Sequence, residues 1–380
     1  MRATIKNRAK ATLHGKRICN CKGTKKSDAK QPNKLDICKE KEYFCGKRRE
    51  KIMQQTSKKR KITIAVTAIA FIATGITLLG NAAADKFNVP YSQIPYCAVS
   101  PKLPTEITFA GEKIELTRQD RRERLDREIL AFTYSHINTL LQIKRANRLF
   151  PVVEPILKEC GVPDDLKYLM IIESNGDIYA RSTVGAAGLW QFMEKTAQEY
   201  GLEVNNNIDE RYHIEKATRA ACSYLKESYK EYGDWLTVAA SYNAGRNSIN
   251  KRIEEQKEER AINLHLVPET SRYLFRLLAA KAIFSDPINY GFIIQHRDLY
   301  PPLPIAKTIT VSSPVKSWAS VAQKHGLTYI QLREANPWIR NTEIPAGKTK
   351  KSYKVIIPDS ARLHYNPEET RAHNRRWVIK

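Results

Sequence analysis

The chain lacks the cysteine patterns that mark disulfide-rich or zinc-binding proteins. It has seven cysteines and no C-x-x-C motif. Four lie before residue 46 among lysines, which disfavours a closed tetrahedral zinc site. Cys97, Cys160 and Cys222 are an odd, widely spaced set and provide no disulfide framework. Because Cys160 and Cys222 lie in apolar helical contexts, we expect both to be unpaired.

Acidic residues are too few to balance the basic ones, and the excess is local. The chain has 64 Lys and Arg against 40 Asp and Glu, a net charge of +24, of which residues 1–61 carry +16. Binding to nucleic acid would therefore depend mainly on this segment, which contains no recognition motif. The 380 residues are 42% hydrophobic, which is enough for packed cores and about two domains.

One long uncharged run, residues 62–80, follows the basic cluster Lys58–Lys61 and precedes an A-x-A site that ends at Ala84. This order is typical of a secretory signal, although the run is also long enough for an uncleaved membrane anchor. We therefore predict a signal peptide or anchor over 62–84 and export to the periplasm or cell envelope. Residues 1–61 are predicted to be a basic, disordered extension, and a start at Met53 would give a signal of ordinary length.

The exported part divides into four segments by composition and pattern. Residues 85–118 are rich in proline and are predicted to be a linker. Residues 119–300 have helical spacing of apolar residues and no strand-like alternation, which predicts an all-α domain. After a Pro-rich hinge at 300–304, residues 305–358 read as a separate strand–helix–helix–strand unit. Residues 359–380 are predicted to be a basic tail without clear structure. The expected fold class is mainly α, with a small α+β unit.

Glu173 is the first candidate for chemistry. It directly follows the four apolar residues 169–172 near a predicted helix end. Burial raises the pKa of a carboxyl group, which suits a general acid at neutral pH. Taken alone, a glutamate at a helix end is more simply an exposed residue.

Three further segments have compositions that suit a sugar-binding cleft. Residues 185–193, GAAGLWQFM, allow close approach of a ligand and place Gln191 between two aromatic residues. The alternative is a tight loop that enters a core helix over 188–199. Residues 239–245, AASYNAG, and 268–273, PETSRY, could equally be a buried tyrosine, a helix cap and a helix start.

In combination, these segments resemble in order and spacing the catalytic domain of soluble-lytic-transglycosylase-type enzymes, which is lysozyme-like. The matching motifs are Glu173-Ser174, the GAAGLWQFM loop, Asp209-Glu210-Arg211, the Y-N-A-G end and the E-T-x-x-Y segment. The resemblance covers about 119–300. Ser241 departs from the alanine that the family often has, which is a small-for-small change.

The resemblance implies that the substrate is peptidoglycan, cut between N-acetylmuramic acid and N-acetylglucosamine. Glu173 would be the single catalytic acid/base, Tyr273 would orient its carboxyl group, and Ser174 would accompany it. The residues implied to line the cleft or hold the sugars are Gln191, Met193, Tyr242 and Asn243.

One carboxylate is sufficient for the implied reaction. Ordinary glycosidases place two carboxylates across the bond, and the nearest acid in sequence, Asp177, shows no sign of being a partner. Protonated Glu173 would donate to the leaving oxygen and then, as the carboxylate, accept the proton of the substrate's own C6 hydroxyl. That hydroxyl closes on C1 to give a 1,6-anhydro sugar, an intramolecular attack with a large effective molarity.

Residues 305–358 resemble a LysM module, a domain that binds N-acetylglucosamine polymers. Ser317-Trp318, Asn336-Pro337 and residues 355–358 match the module, whereas Val315-Lys316 replaces its usual Gly-Asp. Both sugar binding and a spacer role remain open for this unit.

Two alternatives to a transglycosylase are a hydrolytic muramidase on the same fold and a non-catalytic peptidoglycan-binding protein. Retention of the full set of site residues argues against the second. No cofactor and no metal are expected, and nucleic acid is not expected as a partner. Contact with a membrane is possible through residues 62–80, and the chain is expected to act as a monomer.

Overall fold

The structure is a computed structural model that describes residues 100–347 and 350–379. The predicted extension, the signal or anchor at 62–84 and the five cysteines before residue 100 lie outside these residues. Within them the chain forms ten α-helices and two two-stranded sheets, which confirms the predicted mainly-α fold class. No helix among the described residues is both long enough and apolar enough to cross a bilayer.

A β-hairpin precedes the helices. Strand β1 (Glu106–Phe109) pairs antiparallel with β2 (Glu112–Glu115) through a turn whose residues both have positive φ, Ala110 at 51° and Gly111 at 89°. Its inward side chains are buried in the main core; they are Ile107, Phe109, Ile114 and Leu116. The linker prediction is therefore wrong for this part of 85–118, because strands of four residues are too short to show clear periodicity beside four prolines.

Eight helices follow the hairpin and build the main core. They are α1 (Gln119–Tyr134), α2 (His136–Glu159), α3 (Lys167–Ser174), α4 (Glu194–Glu199), α5 (Ile214–Tyr232), α6 (Trp235–Ala244), α7 (Arg246–Gln256) and α8 (Pro268–Ser285).

Helix α8 is central and contacts α1, α3 and α6. Pro268 at its first turn and Glu269 beside it are both favourable at a helix N-terminus. Cys160 and Cys222 are free thiols, as predicted.

The second unit has the predicted β–α–α–β order. Its elements are β3 (Ile305–Ser312), α9 (Trp318–Lys324), α10 (Tyr329–Ala335) and β4 (Ser352–Pro358), and the two strands pair antiparallel. Ser317 caps α9, and Thr328 forms a capping box with Gln331 on α10. Its span from Ile305 to Pro358 agrees with the unit predicted over 305–358.

The second unit is docked on the helical domain, which differs from the separate unit expected beyond a hinge. Its core includes three residues of the helical domain, Ala187, Ile208 and Tyr212. The carbonyl of Pro301 in the Pro-rich segment accepts a hydrogen bond from Arg148 of α2 at 3.0 Å. Prolines indicate where regular structure ends, but they carry no information about what the flanking domains contact.

Residues 359–379 return to the helical domain and are not an unstructured tail. The indole nitrogen of buried Trp377 donates to the Phe284 carbonyl at 2.6 Å, and its ring meets Phe150 at 5.7 Å. Backbone Ile379 donates to the carbonyl of Ile294 at 3.0 Å. The prediction failed because this segment is held by single anchoring residues, which leave no periodic signal.

Candidate active site

Glu173 is the penultimate residue of α3. The helix ends at Asn175, which is in the left-handed conformation at φ 55°. The carboxyl group is half-buried, and this burial raises its pKa to about 7. The expectation of a desolvated carboxyl group is thus met by the structure, because four buried or half-buried residues of α3 precede Glu173.

Tyr273 of α8 holds the Glu173 carboxyl group. Its hydroxyl donates to Glu173 Oε1 at 2.6 Å, and its side chain is buried. Burial raises the pKa of Tyr273 well above its ordinary value, so that the hydroxyl stays a donor at neutral pH. The positive charge of Arg276 acts against the raised pKa of Glu173, and the negative charge of Glu269 adds to it.

Residues 185–193 form a compact loop rather than the start of a helix over 188–199; α4 begins only at Glu194. A Cβ on Gly188 would lie 1.9 Å from the Arg211 carbonyl oxygen, so any other residue would clash. Gln191 has φ 49°, and its side-chain amide donates to the carbonyls of Ala180 at 3.2 Å and Gly188 at 2.8 Å. The side-chain NH₂ of Gln191 thus braces the loop from within.

The end of α6 joins this loop to α8. The Tyr242 hydroxyl donates to the Trp190 carbonyl at 2.6 Å, and Asn243 Oδ1 accepts from the Thr270 hydroxyl at 2.9 Å. The charge of Glu173 and burial both raise the pKa of Tyr242, with burial the larger cause. These hydrogen bonds link four motifs that are dispersed in the sequence into one network, which includes the Glu173 carboxyl group.

Two other candidates, Ser174 and Met193, and the nearby acid Asp177 have different surroundings. The Ser174 hydroxyl is buried and donates to the Met170 carbonyl of its own helix at 2.8 Å. Met193 is 44% exposed at the start of α4. Asp177 pairs with Arg145 at 3.1 Å and accepts a hydrogen bond from the Tyr179 backbone, which occupies its carboxylate.

Sequence reasoning missed the charged residues of α8 that act on Glu173. Glu269 and Arg276 lie one turn to either side of Tyr273, and helical spacing from that tyrosine would have found them. It also gave no role to Arg211, whose guanidinium contacts the 185–193 loop. Among the described residues, no three His, Cys, Asp or Glu side chains converge as metal ligands would.

This arrangement can transfer a proton in both directions at neutral pH. A carboxyl group with a pKa near 7 is present in substantial amounts both as an acid and as a base. The buried Tyr273 hydroxyl orients it, and Tyr242, whose pKa the charge of Glu173 helps to raise, connects the end of α6 to the 185–193 loop.

Comparison with known proteins agrees with this geometry. Residues 154–265 match the family described as Transglycosylase SLT domain, and residues 307–361 match the Soluble lytic transglycosylase C-terminal LysM-like domain. Membrane-bound lytic murein transglycosylase D of Escherichia coli (strain K12) is 29% identical over 247 residues, 63% of this chain and 53% of the relative. The alignment thus spans about half the length of that relative.

Two solved structures are also similar. The 70 kDa soluble lytic transglycosylase of Escherichia coli is 20% identical, with 43% of this chain and 29% of that chain covered and a TM-score of 0.33. An inactive mutant of the lytic transglycosylase Slt from Pseudomonas aeruginosa is 19% identical, with 45% and 33% covered and a TM-score of 0.31. The chain is thus similar over 154–265 to transglycosylase SLT domains and, after that, over 307–361 to the C-terminal LysM-like domains of soluble lytic transglycosylases.

Proposed function

We propose that this protein is a peptidoglycan lytic transglycosylase that cleaves the bond between N-acetylmuramic acid and N-acetylglucosamine and leaves 1,6-anhydro ends. The observation that carries the proposal is the half-buried Glu173 carboxyl group, with its pKa raised to about 7 and its Oε1 held by Tyr273. The SLT family match over 154–265 supports the same reaction.

In this mechanism Glu173 acts twice. As the acid, it protonates the glycosidic oxygen while the C1–O bond breaks. As the carboxylate, it then accepts the proton of the muramic acid C6 hydroxyl, whose oxygen bonds to C1. The proton returns to Glu173 and no water is consumed, so one carboxylate completes the cycle.

The proposed roles of the other site residues follow from their contacts. Tyr273 orients the acid, while Tyr242 and Asn243 tie the 185–193 loop and α8 together at the sugar-binding wall. We assign Gln191 and Met193 to the cleft wall, and Ser174 to the support of α3.

The proposed location is the cell envelope, because the basic cluster, uncharged run and A-x-A site of residues 58–84 suit an export signal or an anchor. N-terminal sequencing of the native protein distinguishes these two. A mature protein that begins near residue 85 supports cleavage, and one that retains 62–84 supports an anchor.

Mass spectrometry of fragments released from purified cell wall tests the reaction. Lytic transglycosylase products are ~18 Da lighter than hydrolysed ones, because the attack is intramolecular and adds no water. Products with reducing ends would identify a hydrolytic muramidase instead, and binding without any release would identify a non-catalytic wall-binding protein.

A further inference from the structure

The two domains share a short antiparallel pairing, here called the seam, between residues 207–209 and 338–340. Ile208 and Ile339 form its central bridge. The backbone of Asp209 donates to the Trp338 carbonyl at 2.9 Å, and that of Arg340 donates to the Asn207 carbonyl at 2.8 Å. These backbone hydrogen bonds set the register of one domain against the other.

Two aromatic contacts reinforce the seam. The Trp338 ring stacks on His213 with 5.9 Å between centroids and 20° between planes. The Arg340 guanidinium lies 4.5 Å from the centroid of the Tyr212 ring. The seam thus continues into the residues that immediately follow the Asp209-Glu210-Arg211 motif.

Arg211 connects the seam to the cleft loop. It forms a bidentate pair with Asp209, at 2.9 Å from Nε and 2.7 Å from Nη2, and its side chain is 5% exposed. Its remaining nitrogen, Nη1, donates to the carbonyls of Gly185 at 2.9 Å and Phe192 at 3.1 Å. One buried guanidinium therefore holds both ends of the 185–193 loop, with the fixed geometry of a bidentate pair.

The middle of the loop also lies on the second domain. Ala187 is fully buried in the core that contains Val315 and Trp318 of the LysM-like domain. Gly188 lies directly against the Arg211 backbone. On its other side, the loop is held by the hydrogen bond from the Tyr242 hydroxyl to the Trp190 carbonyl. The loop therefore lies between α6 and the LysM-like domain.

We infer that the LysM-like domain positions the 185–193 loop of the cleft, through Trp338 and the Asp209–Arg211 segment. Trp338 and Arg211 are then positioning residues for cleavage, whether or not this domain binds sugar itself. The inference rests on the proposed function for its kinetic consequence, but its structural part is independent of that function. Short glycans that bind only in the cleft, and not on the LysM-like domain, would therefore still depend on an intact seam for their cleavage.

Hydrogen exchange on the full-length chain tests the structural part. The amides of Ala187 and Gly188 donate to Phe192 and Ala180 within or beside the loop. Trp338→Leu should accelerate their exchange about tenfold while the Asn175 amide at the end of α3 is unchanged. The matched control is Leu332→Ala, a large-to-small change in the same core but on α10, which packs against α9 and β4; it should change these amides by less than about twofold. Equal acceleration in both variants, or none in either, would overturn the inference.

A milder variant covers the case in which Trp338→Leu does not fold. Arg340 is exposed, and Arg340→Ala removes its contact with Tyr212 and a 3.4 Å hydrogen bond from Nη1 to the Pro337 carbonyl, while the backbone pairing of the seam remains. KM for short peptidoglycan glycans should rise about two- to fivefold with little change in kcat, and Arg340→Lys should restore it, since a cation remains over the ring. The alkaline limb of the pH profile should not move. An unchanged KM in Arg340→Ala, or a moved limb, counts against the inference.

The two proposals fail in different ways. If the wild-type protein releases no anhydro products, the proposed function is wrong, and the exchange measurement still decides the role of the seam. If the wild-type protein cleaves normally and the Trp338→Leu and Leu332→Ala variants behave alike in the exchange measurement, only the positioning role is wrong.

Discussion

The Tyr273 hydroxyl donates to Glu173 Oε1 at 2.6 Å across 100 positions of sequence. This hydrogen bond joins α8 to α3 and stabilises the ionised form of a carboxyl group that burial otherwise keeps protonated. The balance between burial, which raises the pKa, and this hydrogen bond, which lowers it, determines the pH at which Glu173 loses its proton.

Glu173→Gln should abolish cleavage while preserving the fold. Gln keeps the shape of the side chain but cannot transfer a proton, and general acid–base catalysis contributes about 10²–10⁴-fold in rate. Because one group serves both steps, we expect a loss at the upper end of that range or beyond. Release of anhydro fragments from cell wall is the measurement. Asp177→Asn is the matched control and should retain activity, since Asp177 is paired with Arg145. A fully active Glu173→Gln protein would remove the assignment.

The rate should decline as the pH rises through about 7, where Glu173 loses the proton that it donates. Tyr273→Phe removes a hydrogen bond that favours the ionised carboxylate, so the pKa of Glu173 should rise and the alkaline limb should move to higher pH. Activity at pH 7 should fall less than in Glu173→Gln. A pH–rate profile of both proteins is sufficient, and a limb that moves to lower pH would contradict the proposed role of Tyr273.

Ionised Glu173 should lower the free energy of unfolding of the protein at alkaline pH. Its pKa in the folded protein, about 7, lies above the ordinary value of 4.5. The folded state therefore binds the proton more tightly, and stability is lost as the pH rises from about 4.5 through 7. Glu173→Gln should be more stable than wild type at pH 8, by at most about 3 kcal/mol, and nearly equal at pH 4. Denaturant unfolding at both pH values tests this, and a variant that is less stable at pH 8 would refute it.

Glu269→Gln distinguishes a mechanism that uses one carboxylate from a hydrolase that uses two carboxylates. Glu269 is exposed on the first turn of α8, and its charge acts on Glu173. A transglycosylase should keep activity within about threefold, whereas a required second carboxylate would cost roughly 10² or more. The alkaline limb should move slightly to lower pH, because a like charge is removed. Initial rates and product masses are the measurements, and a large loss would favour the muramidase.

Trp377→Ala should destabilise the helical domain by about 3–5 kcal/mol, because it leaves a cavity among the aromatic rings of the core. Thermal unfolding measures the effect. Arg375→Ala, two residues away and exposed, is the control and should change stability by less than about 0.5 kcal/mol. Equal melting temperatures for the two variants would show that residues 359–379 are dispensable for the core.

Local pattern predicted the helical character of 119–300 and the strand–helix–helix–strand order of 305–358, because apolar periodicity and caps are read directly from neighbouring residues. The resemblance to soluble lytic transglycosylases, drawn from motifs, predicted a role for Glu173 and Tyr273, and the structure places the two in hydrogen-bond contact. The β-hairpin at 106–115 and the packing of Trp377 on the helical domain were missed, because short strands and single buried residues leave little periodic signal in the sequence. The docking of the LysM-like domain on the helical domain was missed for a different reason. Its contacts with the 203–213 segment join residues over 120 positions apart, and composition does not report such pairs.

The return of residues 359–379 also constrains the order in which the protein assembles. The backbone of His373 donates to Asn147 across 226 positions, and its ring bonds Glu154 across 219. Such distant contacts make closure of a core slow, because the chain between them must be ordered first. Because synthesis begins at the N-terminus, the helix that carries Glu173 emerges long before Trp377 does. The core between α2 and α8 is therefore completed only after the LysM-like domain has been made, so the helical domain cannot finish folding before the rest of the chain is present.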